Sequence, residues 1–123
     1  MIALDTNVLR RYLAGIVARD TVIAARAVAT EEAMLPPVVL TEALSDTAAS
    51  DEHTRRTLSI ALIPLYRGYW LRTGNLRRNL KLRGLSAPTP DCLIAQACID
   101  IDIPLLTHDH DFTRFIDAGL KLL

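Results

Sequence analysis

The sequence predicts an α/β fold, a three-layer α/β/α sandwich built on a central parallel sheet of about five short strands. Short apolar runs alternate with helical stretches along the 123 residues. Half of the residues are hydrophobic and only 5% are aromatic, a composition that favours helices packed on an apolar sheet. Strands separated by helices imply right-handed crossovers and parallel pairing. The length predicts a single domain over residues 1–123.

The first half of the chain is predicted to contain two strands and four helices. Residues Ile2–Leu4 form a short apolar run that ends on Asp5, which predicts a buried strand. Thr6 or Asn7 can cap the helix that follows. The further elements are a helix over 19–32, a strand over 33–35, a helix over 38–49 that Pro37 opens at its first turn, and a short helix over 51–57.

The second half is predicted to contain three strands and three helices. Residues 59–65 indicate a strand ended by Pro64, and Tyr66–Arg83 a long amphipathic helix with Gly84 at its C-terminal cap. The apolar stripe of this helix consists of Tyr66, Tyr69, Trp70, Thr73, Leu76 and Leu80. The remaining elements are a helix over 91–100, a strand over 104–107, a helix over 111–118 and a last strand over 120–123.

Charge and cysteine content restrict the classes of function and the compartment. The chain has 14 basic and 14 acidic residues, so nucleic-acid binding has to rest on local rather than overall charge. Cys92 and Cys98 are six positions apart in one predicted helix and point in different directions, which argues against a disulfide between them. Two buried thiols indicate a reducing cytoplasm. We expect no secretory signal and no membrane span.

Four acidic residues are predicted to lie near the carboxyl edge of the sheet, where ligands bind in parallel α/β folds. Asp5 follows the first strand directly, and Asp109 follows the strand over 104–107. Asp91 begins a helix after a proline-rich loop, and Glu42 lies on an otherwise apolar helical turn, beside the core.

Converging carboxylates repel one another, so some must take up protons unless a cation lies between them. A hard divalent cation, Mg²⁺ or Mn²⁺, relieves this repulsion through oxygen ligands. It also lowers the pKa of a bound water and neutralises charge on a phosphoryl oxygen, which is what phosphodiester hydrolysis requires. Each acid alone has a structural explanation: Asp5 as a helix cap, Asp91 as a first-turn carboxylate, Glu42 as a glutamate bonded to backbone, Asp109 as a turn former. Their joint placement favours the metal site.

Four segments resemble, in order, the acidic motifs of PIN domains. The first is Ile2–Leu9, which contains Asp-Thr-Asn, and the second is Leu40–Leu44, which contains Glu42. The third is Pro90–Ala97 and the fourth is Pro104–Phe112. Each motif is weak alone, but all four occur in sequence order within 123 residues. The length and the lack of further domains resemble VapC toxins of bacterial type II toxin–antitoxin modules.

This resemblance implies a Mg²⁺- or Mn²⁺-dependent endoribonuclease whose targets include transfer or ribosomal RNA. It implies that a VapB-type antitoxin inhibits the protein and that the protein forms a homodimer. The carried-over site consists of Asp5, Glu42, Asp91 and Asp109 as catalytic and metal ligands, Asp111 as a fifth ligand through water, and Thr6, Asn7 and Thr107 as groups that orient the carboxylates. A PIN nuclease outside any toxin module stays open as an alternative, as does an inert PIN-like binding module. An inert module should have lost one or more acids.

The predicted helix Tyr66–Arg83 carries six basic residues and no acidic one. The candidate RNA-binding residues are Arg77, Arg78 and Lys81 on this helix, and the weaker pair Arg10 and Arg11 near Asp5. A solvated helix face explains the same pattern. His108 and His110 are expected to be exposed turn residues rather than metal ligands. The tyrosines and Trp70 of the stripe fit packing, or a dimer or antitoxin contact.

Overall fold

A parallel sheet of four short strands forms the centre of the computed structural model, which describes residues 1–123. The strands are β1 (Ile2–Leu4), β2 (Ala33–Leu35), β3 (Ala61–Leu62) and β4 (Leu105–Leu106). They lie in the order β3-β2-β1-β4, and every pairing is parallel. The middle residue of β1, Ala3, is in register with Met34 on one side and Leu105 on the other. Helices flank the sheet, so the predicted α/β class is confirmed.

The predicted fifth strand, residues 120–123, is reduced to a single bridge between Leu105 and Leu122. The Leu105 amide donates to Lys121 O, and the Leu123 amide donates to Leu105 O. β4 offers little more to pair with, because Pro104 has no amide proton on one side and the chain turns away at Thr107 on the other. The sheet therefore has four strands rather than about five.

Six α-helices and one 3₁₀ helix surround the sheet. They are α1 (Thr6–Leu13), α2 (Arg19–Ala29), α3 (Pro37–Leu44), α4 (Asp51–Leu58), α5 (Tyr69–Leu82), α6 (Thr89–Ile101) and the 3₁₀ helix His110–Ala118. α3 opens with Pro37 as predicted, and α6 opens on Thr89-Pro90 rather than at residue 91, because proline suits the first helical turn, where amides have no helical partner. Asp91 is therefore the third residue of α6.

Local backbone conformation explains where the other helix boundaries differ from the prediction. α2 ends at Ala29 rather than residue 32, because Glu31 has a left-handed φ of 58°. α3 ends at Leu44 rather than residue 49, because Asp46 starts a turn in which its carboxylate accepts from the Ala48 amide at 3.0 Å.

The segment around residues 59–69 is less regular than predicted. β3 spans only Ala61–Leu62, which pair with the last two residues of the three-residue strand β2. Pro64 ends the extended stretch. α5 begins at Tyr69 rather than Tyr66, because Gly68 has a left-handed φ of 87° that an α-helix cannot continue through.

The C-terminal end of α5 has the predicted glycine cap. Gly84 adopts a φ of 75°, and the Leu85 amide donates to Leu80 O at 3.0 Å while the Gly84 amide donates to Lys81 O. This pair of hydrogen bonds is a Schellman motif. It ends the helix and starts the loop that leads to Asp91.

One hydrophobic core lies between the sheet and the helices. β1 is completely covered at Ala3 and Leu4, and Phe112 and Phe115 of the 3₁₀ helix are the largest fully buried side chains. The α5 stripe contributes Tyr69, Thr73, Leu76 and Leu80, whereas Tyr66 and Trp70 are exposed. Both cysteines are buried and free, as predicted. None of the helices combines the length and hydrophobicity needed to cross a lipid bilayer.

Candidate active site

Asp5 lies at the centre of the carboxyl edge, directly after the central strand β1. Only 5% of its surface is exposed. One carboxylate oxygen accepts from the Thr6 amide at 2.7 Å, and this bond caps α1. The predicted caps Thr6 and Asn7 are thus wrong, because Asp5 already bonds the first helical amide. The other oxygen accepts from the Thr107 hydroxyl at 2.7 Å. Asp5 is therefore held by both of its oxygens.

Thr107 connects the ends of two adjacent strands. It follows β4, and its hydroxyl donates to Asp5 while accepting from the Asp109 amide at 3.0 Å. The Asp109 carboxylate in turn accepts from the Asp111 amide at 2.8 Å and so caps the 3₁₀ helix. A single hydroxyl therefore fixes Asp5 relative to the backbone of Asp109.

Glu42 reaches the same edge from α3. Its Oε1 accepts from the hydroxyl of Thr6, a buried residue in the first turn of α1, at 2.9 Å. The Glu42 side chain is half-buried, consistent with its predicted place beside the core. Thr6 thus links Glu42 to the helix that Asp5 caps.

Asp91 is half-buried in the first turn of α6, and its carboxylate accepts no hydrogen bond. Burial raises the pKa of Asp91, and the negative charges of Asp109, Asp5 and Glu42 raise it further; only Arg114 opposes them. The pKa of Asp5 is also raised, chiefly by burial, with the hydrogen bonds from Thr107 and Thr6 working against the shift. Asp109 and Glu42 add to the rise at Asp5. Asp109 and Glu42 therefore lie close enough to both Asp5 and Asp91 for their charges to raise the pKa of each.

The donor set fits a hard divalent cation in its chemistry. Four carboxylates surround one edge, and two of them, Asp5 and Asp91, are disfavoured in the charged form, a cost that a cation removes. The spacing of the side chains is wider than direct coordination requires: no group of three or more His, Cys, Asp or Glu side chains is close enough together to hold a metal ion.

Comparison with known proteins identifies the family. The profile of the PIN domain family matches residues 2–117. This chain belongs to the PIN domain family. Among solved structures, this chain is similar to a protein chain in the structure described as "Crystal structure of VapBC2 from Rickettsia felis bound to a DNA fragment from their promoter". The TM-score is 0.74 at 20% identity, with 100% of this chain and 98% of that chain covered. A comparison with curated protein sequences gives no match.

Two other predicted residues of this PIN domain form no side-chain hydrogen bond with the four acids. The Asp111 carboxylate is 72% exposed and lies 3.2 Å from the Arg114 guanidinium. Asn7 is exposed and makes no side-chain hydrogen bond, in contrast to Thr6 and Thr107. A role for Asp111 or Asn7 stays a prediction.

The five candidate RNA-binding residues differ in whether their side chains are already bonded within the protein. Arg11 forms a two-bonded fork with Asp20, at 2.8 and 3.2 Å, and Arg10 lies 3.7 Å from Asp46. Arg77 is half-buried and donates to the Ala87 carbonyl at 2.8 Å. The remaining two, Arg78 and Lys81, are exposed on α5 and form no ion pair. Of the five, these last two are the most available to a ligand.

Sequence reasoning missed Arg114. Its side chain is only 12% exposed, lies over the Phe115 ring at 5.9 Å, and donates to two backbone carbonyls, at Asp111 and Ser86. The only sequence signal was its spacing of three residues from Asp111, which is common on exposed helices. Its bond to Ser86 spans 28 positions, and no local pattern predicts such a contact.

Proposed function

We propose that this PIN domain, over residues 1–123, is a metal-dependent endoribonuclease and the toxin of a VapBC-like type II toxin–antitoxin module. PIN domains are in general nucleases. The observation that carries the proposal is the gathering of carboxylates at one edge of the sheet, where Thr107 bonds the buried Asp5 and the Asp109 backbone and Thr6 bonds Glu42. The charges of Asp109, Asp5 and Glu42 also reach Asp91 and raise its pKa. An inert binding module should have lost one or more of the acids, whereas all four are present in this chain, which favours the enzyme.

Asp5, Glu42, Asp91 and Asp109 are the residues that would hold Mg²⁺ or Mn²⁺, with Asp111 contributing through water. When bound, the cation lowers the pKa of a water molecule and offsets charge on the phosphodiester. The protein's own contribution is orientation: Thr6 holds Glu42, and Thr107 holds Asp5, so that these carboxylates keep one direction. Asn7 is proposed to assist from the start of α1.

A protein nucleophile is not needed in this scheme, and the cysteines are poorly suited to be one. Burial raises the pKa of the Cys92 thiol and raises that of Cys98 to about 12. A thiol with a raised pKa holds little of the reactive thiolate at neutral pH.

The central test is RNA cleavage by Asp5→Asn in parallel with Asp117→Asn. Asp117 lies on the 3₁₀ helix and is exposed, so it controls for the loss of one acid outside the site. We expect cleavage of total RNA by the wild type and by Asp117→Asn in Mg²⁺ or Mn²⁺, and none after chelation or in Asp5→Asn. If Asp5→Asn cleaved RNA at the wild-type rate at saturating metal, the proposed site would be excluded.

For the substrate we propose RNA, with transfer or ribosomal RNA as the target class, held through its phosphates by exposed basic residues. The exposed Arg78 and Lys81, which form no ion pair, are the most available to bind phosphate, followed by Arg77, Arg10 and Arg11. Arg78→Glu in an Asp5→Asn background should weaken binding of an uncleaved RNA. It should also lower the slope of log K against log salt by about 0.7 for one lost phosphate contact.

The matched control for this binding test is Arg26→Glu on α2, another exposed arginine that forms no ion pair. We expect its affinity and salt slope to equal those of the parent. Equal behaviour of the Arg78 and Arg26 variants would mean that the α5 basic residues are only a solvated face.

As partners we propose a VapB-type antitoxin and a second copy of this chain, in the cytoplasm. Likeness to a chain of the VapBC2 complex supports the antitoxin. Induced expression should slow growth, Asp5→Asn should relieve it, and co-expression of a neighbouring antitoxin gene should relieve it as well. RNA cleavage without growth arrest would instead favour a PIN nuclease outside a toxin module.

A further inference from the structure

Asp91 depends on the backbone that leads into it. It is the one carboxylate of the four that accepts no hydrogen bond, so its position is set by the start of α6. That start follows the loop from Gly84, and two arginines donate to successive carbonyls of the loop. Arg77 from α5 donates to Ala87 O at 2.8 Å, and Arg114 from the 3₁₀ helix donates to Ser86 O.

Arg114 is also bonded at its own end of the site. Its Nε donates to Asp111 O at 2.6 Å, and a terminal nitrogen lies 3.2 Å from the Asp111 carboxylate. The Asp111 amide is the group that donates to the Asp109 carboxylate at the start of the 3₁₀ helix. The Arg114 guanidinium therefore bonds the segment after Asp109 to the segment before Asp91.

We propose that Arg114 is a positioning residue of the metal site, which fixes the segment carrying Asp91 against the segment carrying Asp109. This inference rests on the proposed metal-dependent function. The planar guanidinium suits the task because its donors point in fixed directions toward both segments. Lysine would keep the charge but not this set of directions.

The structure also contains a matched control. Arg83, the residue after α5, pairs with Asp117 of the same 3₁₀ helix at 3.4 Å, but both side chains are more than half exposed. Arg83→Met removes an arginine contact to this helix without touching Ser86, Asp111 or the acids.

The test is Mn²⁺ binding measured by titration calorimetry, together with kcat and KM for RNA, for Arg114→Met, Arg114→Lys and Arg83→Met. Loss of a group that orients metal ligands typically weakens metal binding about 10- to 100-fold. We expect a loss in this range for Arg114→Met, a smaller loss of several-fold for Arg114→Lys, and a change within twofold for Arg83→Met. The kcat should fall with Mn²⁺ affinity, and the KM for RNA should stay constant.

Mn²⁺ affinity within twofold of the wild type in folded Arg114→Met would overturn the proposal. If Arg114→Met does not fold, full Mn²⁺ affinity in Arg114→Lys would overturn it equally, because the directed bonds would then be dispensable. Failure of the metal-dependent function looks different: the wild type itself would bind no Mn²⁺.

Discussion

Replacing Thr107 with valine removes one hydroxyl and leaves the side chain close to its original size. In the wild type this hydroxyl donates to the buried Asp5 carboxylate at 2.7 Å and accepts from the Asp109 amide at 3.0 Å. Hydrogen bonds to charged groups contribute about 1.5–3 kcal/mol, and neutral ones about 0.5–1.5 kcal/mol. Asp109 is half-buried, so water can replace part of the second bond. We expect Thr107→Val to lower the free energy of unfolding by about 2–3 kcal/mol.

The assay is urea unfolding followed by far-UV circular dichroism at pH 7 without metal, and Mn²⁺ binding measured on the same proteins. Thr113→Val on the 3₁₀ helix is the control, since Thr113 is exposed and makes no side-chain hydrogen bond. Mn²⁺ affinity should fall about 10- to 100-fold in Thr107→Val, because Asp5 loses the group that orients it. A Thr107→Val protein as stable as Thr113→Val would refute the reasoning that this hydroxyl holds Asp5.

Three further predictions follow from the ionisable groups. The pKa of Asp91 is raised in the folded protein, so its contribution to stability is present below the ordinary Asp pKa and is lost as pH rises through the raised value. Asp91→Asn should therefore have a higher urea midpoint of unfolding than the wild type at pH 7 without added metal. The two hydrogen bonds from Arg11 lower the pKa of Asp20, so the contribution of Asp20 to stability is present above the ordinary Asp pKa and is lost as pH falls through the lowered value. Between about pH 5 and pH 2, the melting temperature should therefore fall more steeply in the wild type than in Asp20→Asn. Cys98 is completely buried with a pKa of about 12; a thiol reagent should label it only after urea unfolds the protein, and rapid labelling of the native chain would contradict this.

The parts of the fold that depend on local sequence were predictable, and their ends were not. β1, β2 and the proline at the start of α3 are visible as an apolar run or a cap residue. Ends depend on single backbone conformations, such as the left-handed Glu31 and Gly68, that periodicity does not show. The fifth strand failed for a non-local reason, since a strand exists only as far as its partner β4 can pair.

The candidate site was predictable in its members but not in its support. Strand ends and the PIN resemblance predicted that the four acids lie near one edge, because parallel strands finish there, and their role stays a prediction. The link from Thr6 to Glu42 and the bond from Arg114 to Ser86 join positions 36 and 28 residues apart. Such contacts depend on how distant segments pack together, which spacing along one helix does not encode.

Local charge also needed the structure. The basic residues of α5 form a one-signed pattern in the sequence, yet Arg72 is bonded to Asp100 through two hydrogen bonds, at 3.0 and 2.6 Å. Arg77 is bonded to the loop before α6. Only packing shows which cations in such a pattern are free for phosphate, and here these are Arg78 and Lys81.

The most direct measurement of the central claim is a crystal structure grown in Mn²⁺, with the ion located by its anomalous scattering. The account predicts a peak at coordinating distance from Asp5 and from at least one of Asp91 and Asp109. It also predicts that Glu42 and these acids lie closer together around the ion than in the structure described above. Saturating Mn²⁺ with no peak at this edge, or with a peak only at His108 and His110, would contradict it.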